Sequence, residues 1–191
     1  MVIFKHCLKG VSVALTGAML SAALVVGAPS EAQALGVMSE TSEYAKEIKD
    51  YVAKVAEEAT ERAEKKAAKA QKKKDRKAVV KEALTHRGVP YVYGGTTPSG
   101  FDCSGFTRWV FDEALGRSLP RTAAEQSALG ASVSLDALVP GDLLFWGSGS
   151  DVYHVGIYVG DGEYIHASTG SGEVRTATFD YFAPSFAKRL I

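Results

Sequence analysis

Phe101-Asp102-Cys103-Ser104-Gly105-Phe106 sets a cysteine at the first position of a helix-forming run, directly behind a turn rich in glycine that includes Gly94, Gly95 and Gly100. Backbone N–H groups at a helix N-terminus carry partial positive charge. The expectation is therefore that they favour the thiolate of Cys103 and lower its pKa from an ordinary value of roughly 8.5. The helix is expected from about Cys103 to Leu115, with Phe106, Trp109 and Val110 on one face and Gly116 as its stop. Downstream, Thr122 and Glu125 have the spacing of a capping box and start another helix. Upstream, a helix through Val79, Val80, Ala83 and Leu84 is expected to begin at an Asp75 cap and to end at Gly88 and Pro90. After Pro140-Gly141, the segments 142–146, 152–159, 163–167, 174–178 and 186–191 read as strands separated by Gly, Ser and Asp. Helices first and strands after point to an α+β fold.

The two ends of the 191-residue chain differ in kind. Lys5 and Lys9 precede an uncharged run over residues 11–28, and Ala32-Gln33-Ala34 then offers the small-x-small pattern cut by signal peptidase. Residues 1–34 are expected to be a cleaved export signal, with the mature chain starting near Leu35 and the protein secreted. The alternative is an uncleaved membrane anchor. Cys7 leaves with the signal, so Cys103 becomes the only thiol of the mature chain. An unpaired cysteine in an oxidising compartment reads as a reactive group rather than half of a disulfide.

Residues 35–78 form a distinct segment, with 12 Lys or Arg against 9 Asp or Glu, alanine as the main filler and no proline. This composition predicts a charged helical stalk. Tyr44, Ile48, Tyr51, Val52, Val55 and Ala59 make a narrow apolar stripe along it, the mark of a short coiled-coil seam or docking face if it is not simply solvated. From Lys65 to Lys77 the stalk turns strongly basic. Outside the cell, such a run has anionic wall polymers or a membrane surface as partners rather than nucleic acid. Residues 79–191 are then left as one globular domain large enough to bury its own core. The sequence leaves the oligomeric state open.

Of the four histidines, His154 and His166 fall on consecutive expected strands of one hairpin. Hydrolysis of an amide by a thiol needs a base to take the sulfur's proton and a third group to fix that base's tautomer. Side chains alternate along a strand, so the register of the hairpin decides whether the two rings can meet. A three-residue turn at Gly160-Asp161-Gly162 places both on one face, whereas a two-residue turn at Asp161-Gly162 places them on opposite faces. A zinc site of Cys and two His is the competing reading, but no fourth ligand or Cys-x-x-Cys pairing accompanies it. No cofactor is implied.

The ordered series Pro90-Tyr91-Val92-Tyr93-Gly94-Gly95, Phe101 to Phe106, Leu119-Pro120-Arg121-Thr122, Pro140 to Phe145, His154-Val155-Gly156-Ile157-Tyr158 and Ile165-His166-Ala167 resembles the NlpC-type cell-wall cysteine peptidases over residues 79–191. The resemblance implies a papain-like fold in which a helix bearing the nucleophile packs on an antiparallel sheet bearing the base. It further implies endopeptidase action on peptidoglycan stem peptides, between D-glutamate and the following diamino acid. By position, Cys103 would be the nucleophile, His154 the base and acid, and His166 the orienting third member. Tyr91 would help an oxyanion hole. Asp102 and Ser104 would contact the substrate peptide, or else serve the local turn and cap. Tyr93, Arg121 and Asp142 would be structural. Two other functions compete with the endopeptidase: a cysteine amidase that cuts the sugar-to-peptide bond, and a non-catalytic wall-binding protein.

Overall fold

The computed structural model describes residues 31–191, with side chains described from residue 42 onward. The expected signal, and its reading as an anchor, fall mainly on residues 1–30, outside the described residues. Two units divide the chain, residues 1–56 and 57–191.

The first element is one helix, α1 (Glu31–Thr85). It passes through Asp75 without a break, so the expected cap there does not form. Asp75 Oδ1 instead accepts a hydrogen bond from Gln71 Nε2, 2.6 Å away on the preceding turn. The reason is composition: the residues on both sides of Asp75 are strong helix formers, with neither Gly nor Pro to stop the turn before it. Every side chain from residue 42 to 74 is exposed, and Val79 is the first to be fully buried. The apolar stripe from Tyr44 to Val55 lies open to solvent, Tyr51 being 70% exposed. Past α1, Gly88 takes a positive φ of 82°, which ends the helical path as expected.

Two short strands follow, β1 (Thr96–Thr97) and β2 (Gly100–Phe101), and lead into α2 (Cys103–Leu115). Asp102 caps α2 by accepting from Gly105 N at 2.7 Å. Gly116 closes it at φ 63°, donating back to Asp112 O and Phe111 O. The cap is held from outside by the glycine turn, since Asp102 N donates to Gly95 O at 3.0 Å. A Cβ at Gly105 would collide with that same Gly95 carbonyl. The glycines of Tyr93-Gly94-Gly95 and Cys103-Ser104-Gly105 are thus two sides of one close approach of backbones.

After α3 (Ala123–Ser127), whose capping box between Thr122 and Glu125 forms as expected, the chain builds β3 (Ala131–Val133), β4 (Leu143–Trp146), β5 (His154–Gly160), β6 (Glu163–Ser168), β7 (Glu173–Thr178) and β8 (Phe186–Arg189). These six strands form one antiparallel sheet in the order β3-β8-β4-β5-β6-β7. The strands after Pro140 match expectation within one or two residues, while β1, β2 and β3 are too short to carry a periodic signal. α2 lays Phe106, Val110 and Phe111 against Phe145, Val155, Ile157, Ile165 and Ala167. The opposite face of the sheet has a smaller cluster of Leu144, Trp146, Tyr164, Ala177 and Ala187. The result is the expected α+β architecture, a cysteine-bearing helix on an antiparallel sheet.

Candidate active site

The β5–β6 hairpin decides the site. Asp161 and Gly162 both have positive φ, at 51° and 73°, so the turn itself is a tight two-residue one. By simple alternation that turn would separate His154 from His166. It does not, because a bulge shifts the register between Tyr158 and Gly160. Gly160 faces Glu163, but Tyr158 faces Tyr164 and Ile157 faces Ile165, the register that a three-residue turn would give. The extra residue, Val159, restores the parity.

Both histidines therefore lie on the face that carries Trp146 and Tyr164. His154 Nε2 and His166 Nδ1 are 2.7 Å apart, with the rings nearly perpendicular. The two rings are 8% and 4% exposed, so neither is a surface residue. Between them the sheet is tight at Gly156. A Cβ at Gly156 would stand 3.2 Å from Ile165 O and Tyr164 Cδ2 and 3.3 Å from His166 Cβ. Trp146 packs beside both rings, with centroids 5.0 Å from His154 and 6.5 Å from His166, and Phe182 stacks on the indole at 4.9 Å and lies 6.2 Å from the His154 ring. Neither Trp146 nor Phe182 was legible as a site residue, because nothing local in the sequence says which aromatic faces the pair.

The cysteine sits at the start of α2, against the backbone that enters β5. Cys103 Sγ lies 4.0 Å from Tyr153 O, and the N–H groups of Val155, Ser104 and Cys103 itself face the sulfur. The sulfur is thus set against the backbone on both sides of His154. Its electrostatics differ from expectation. Burial pushes the Cys103 thiol up, the nearby Asp102 carboxylate adds to that, and the three N–H groups only partly offset it. Desolvation holds His154 down to about 4. Desolvation, with His154 and Arg175 as neighbouring charges, holds His166 down to about 3. At neutral pH the resting site holds a neutral thiol and two neutral imidazoles, because removing charge from water outweighs the helix N-terminus here.

Asp102 and Ser104 are placed beneath the cysteine, and their side chains are already occupied. Asp102 accepts from Gly105 N, from Gly94 N at 3.1 Å and from both terminal nitrogens of Arg121. Ser104 Oγ donates to Asp102 and accepts from Arg121 Nη1 at 3.0 Å. Of the two readings of these residues, turn and cap bonding is the one the geometry supports. Burial raises the carboxyl's pKa, but the Arg121 and backbone donors outweigh it and hold Asp102 below the usual carboxylate range. Arg121 is structural as expected, although its partner could not be read from spacing. Asp142 is structural too, accepting from Val139 N at 2.8 Å and from Arg189. Tyr93 is not structural in the expected sense, being 92% exposed. Tyr91 reaches the site: burial first, then Cys103 and Asp102, raise its pKa, so its hydroxyl keeps its proton. No group of three or more His, Cys, Asp or Glu among the described residues is arranged to hold a metal.

Residues 88–190 match the model of the NlpC/P60 family. The chain belongs to the NlpC/P60 family. It is 48% identical over 93 residues to the gamma-DL-glutamyl hydrolase of Bacillus subtilis, an alignment covering 47% of this chain and 22% of that protein. It is 42% identical over 99 residues to the murein DD-endopeptidase MepS/murein LD-carboxypeptidase of Escherichia coli, covering 52% of this chain and 53% of that protein. Among solved structures, the NlpC/p60 domain of the peptidoglycan hydrolase SagA superposes with a TM-score of 0.59 at 44% identity, covering 60% of this chain and 98% of that one. The chain spans about a fifth to a half of the length of the curated relatives it matches. These matches place the papain-like NlpC/P60 domain on the sheet and on α2.

Proposed function

We propose that the protein is an exported peptidoglycan hydrolase, a cysteine endopeptidase cutting the bond between D-glutamate and the diamino acid of wall stem peptides. The observation that carries the reading is the hydrogen bond between His154 Nε2 and His166 Nδ1, with the residue just before His154, Tyr153, holding its carbonyl oxygen 4.0 Å from Cys103 Sγ. With Nε2 turned to His166, Nδ1 is the nitrogen of His154 left for the sulfur. For Nδ1 to accept a proton, Nε2 must carry the hydrogen and donate it to His166, which fixes the working tautomer. His166 suits that role only while neutral, and its low pKa keeps it so.

The sequence of steps follows from a neutral resting pair. As Cys103 attacks the carbonyl carbon, its proton passes to His154 Nδ1, and the new oxyanion is met by the N–H of Cys103 and the hydroxyl of Tyr91. Each such donor is typically worth about 3 kcal/mol in the transition state. The C–N bond then breaks, and the His154 proton goes to the departing amine. Water next gives a proton to His154 and its hydroxyl to the thioester; the C–S bond breaks and the sulfur recovers its proton. The D-glutamyl bond is favoured by the likeness to the gamma-DL-glutamyl hydrolase. Cleavage of a DD bond is the second reading, favoured by the likeness to MepS. Export, through residues 1–34, supplies the compartment in which this substrate lies.

Incubating purified wall peptides with the protein and with its Cys103→Ala variant, and weighing the products, tests the proposal. It predicts fragments that begin at the diamino acid, and none with the variant. Glycan ends stripped of peptide would instead identify an amidase, and wall binding without cleavage would identify a recognition protein.

A further inference from the structure

The far end of β5 from His154 borders a cavity of about 590 Å³ with no role in the reaction above. Val159 lies five positions along β5 from His154, roughly 16 Å at strand spacing. The cavity floor is apolar, made of Val80 and Leu84 from α1 with Val139, Pro140 and Val159 from the sheet side. Its rim is wholly cationic: Lys73, Arg76, Lys77 and Lys81 line it, and no acidic residue does. Arg76 is fixed in place, with Nη2 donating to Ile191 O at 2.7 Å. Its Nε–H is buried and has no hydrogen-bond partner, a donor that a bound group would be expected to satisfy.

The rim continues a longer feature. Lys65, Lys69, Lys73, Lys77 and Lys81 recur every four residues, a ridge of like charges one turn apart. Each adjacent like pair destabilises the helix by a few tenths of a kcal/mol. Lys65 is relieved by an ion pair with Glu61. Lys69, Lys73, Lys77 and Lys81 have no ion-pair partner among the described residues.

We propose that this cavity binds an anionic acyl lipid, with the phosphate on the lysine rim and Arg76 and the first carbons of the chain on the apolar floor. Charge complementarity selects an anion, since the lining offers four cations and no acid. The apolar floor selects one with a hydrocarbon attached, which a hydrophilic wall polymer lacks. A basic ridge running into an apolar slot is also the arrangement that holds a protein at an anionic membrane surface. The inference does not depend on the proposed reaction, because the cavity shares no residue with Cys103, His154 or His166.

The test is calorimetric titration of the full chain with octyl phosphate, kept below its micelle concentration so that the apolar N-terminal segment has no bilayer to enter. Octyl phosphate should bind at least about tenfold more tightly than inorganic phosphate. The triple variant Lys73→Gln, Lys77→Gln, Lys81→Gln should lose at least about tenfold in affinity, with helix content by circular dichroism and wall-peptide hydrolysis unchanged. Lys65→Gln, Lys66→Gln, Lys69→Gln together should change binding by less than about threefold. Equal binding of phosphate and octyl phosphate would overturn the proposal. So would equal losses in the two triple variants, or displacement of octyl phosphate by a glutamate-rich peptide at the same concentration, which would point to a protein partner.

Discussion

α1 and α2 are both helices, yet they are specified in opposite ways. α1 spans 55 residues, and over residues 42–74 it rests on composition alone: that stretch buries nothing and is built largely of alanine, lysine and glutamate, with neither glycine nor proline to interrupt it. α2 has 13 residues, and each end is fixed by a named group, Asp102 at the start and Gly116 at the finish, with Phe106, Val110 and Phe111 buried along it. A helix that only has to exist tolerates change almost anywhere. A helix that has to place one sulfur within hydrogen-bonding range of a strand backbone does not, and the difference predicts where substitutions will matter.

The largest effect belongs to the sulfur. Cys103→Ala should abolish wall-peptide cleavage, a loss of at least about a thousandfold in kcat, while the thermal midpoint moves little. His154→Ala should match it. If either variant keeps more than a tenth of the activity, α2 is not placing a nucleophile. Next comes the cap beneath it. Arg121→Gln leaves the Asp102 carboxylate without its cation and should cost about 1.5 kcal/mol of stability by denaturant unfolding, the Arg121 side chain being 37% exposed, together with activity. A comparable loss from a Lys→Gln change at an exposed position of α1 would erase the contrast between the two helices.

His166→Asn should lower kcat by about tenfold to a hundredfold and leave KM nearly unchanged. The same variant tests the pH dependence. The folded pKa values of His154 and His166, about 4 and about 3, lie below the ordinary 6.5. The unfolded chain therefore binds more protons than the folded one between pH 6.5 and about 4. Stability contributed by keeping these rings neutral is full above pH 6.5 and is lost as the pH falls through that window, by up to about 1.4 kcal/mol per pH unit for each ring. Urea unfolding at several pH values should show this slope, and His166→Asn should reduce it. The acid limb of kcat/KM should fall only near pH 4, because folded His154 titrates there and must be neutral to accept the thiol proton.

Smallest in stability is the change expected on α1 itself. A single Lys69→Gln change removes one repulsive neighbour from the ridge and should shift unfolding by no more than about 0.5 kcal/mol.

Much of this was legible in the sequence, and the exceptions have physical causes. The strands after Pro140 are bounded by Gly, Ser and Asp, so their limits could be read. α2 and α3 announce their own caps. The meeting of His154 and His166 could be expected only as a condition on the hairpin, because a bulge at Val159 leaves no signature in a run of ordinary strand residues. The Asp75 cap failed because a capping residue acts only where the preceding chain leaves the helix, and here it does not. The charge state of Cys103 was misjudged because a helix N-terminus is a local feature visible in sequence, whereas burial by β5 is set by tertiary packing. The pairing of Arg121 with Asp102 belongs to the same class, two residues 19 positions apart joined only by the fold.

The central claim, that the sulfur of residue 103 attacks and the imidazole of residue 154 moves its proton, is tested most directly by intact-protein mass spectrometry after rapid mixing with a wall peptide. The account predicts a transient acyl adduct on Cys103 that decays as product appears in the wild type and is missing from Cys103→Ala. Product formed by Cys103→Ala at the wild-type rate, or an adduct on any other residue, would contradict it.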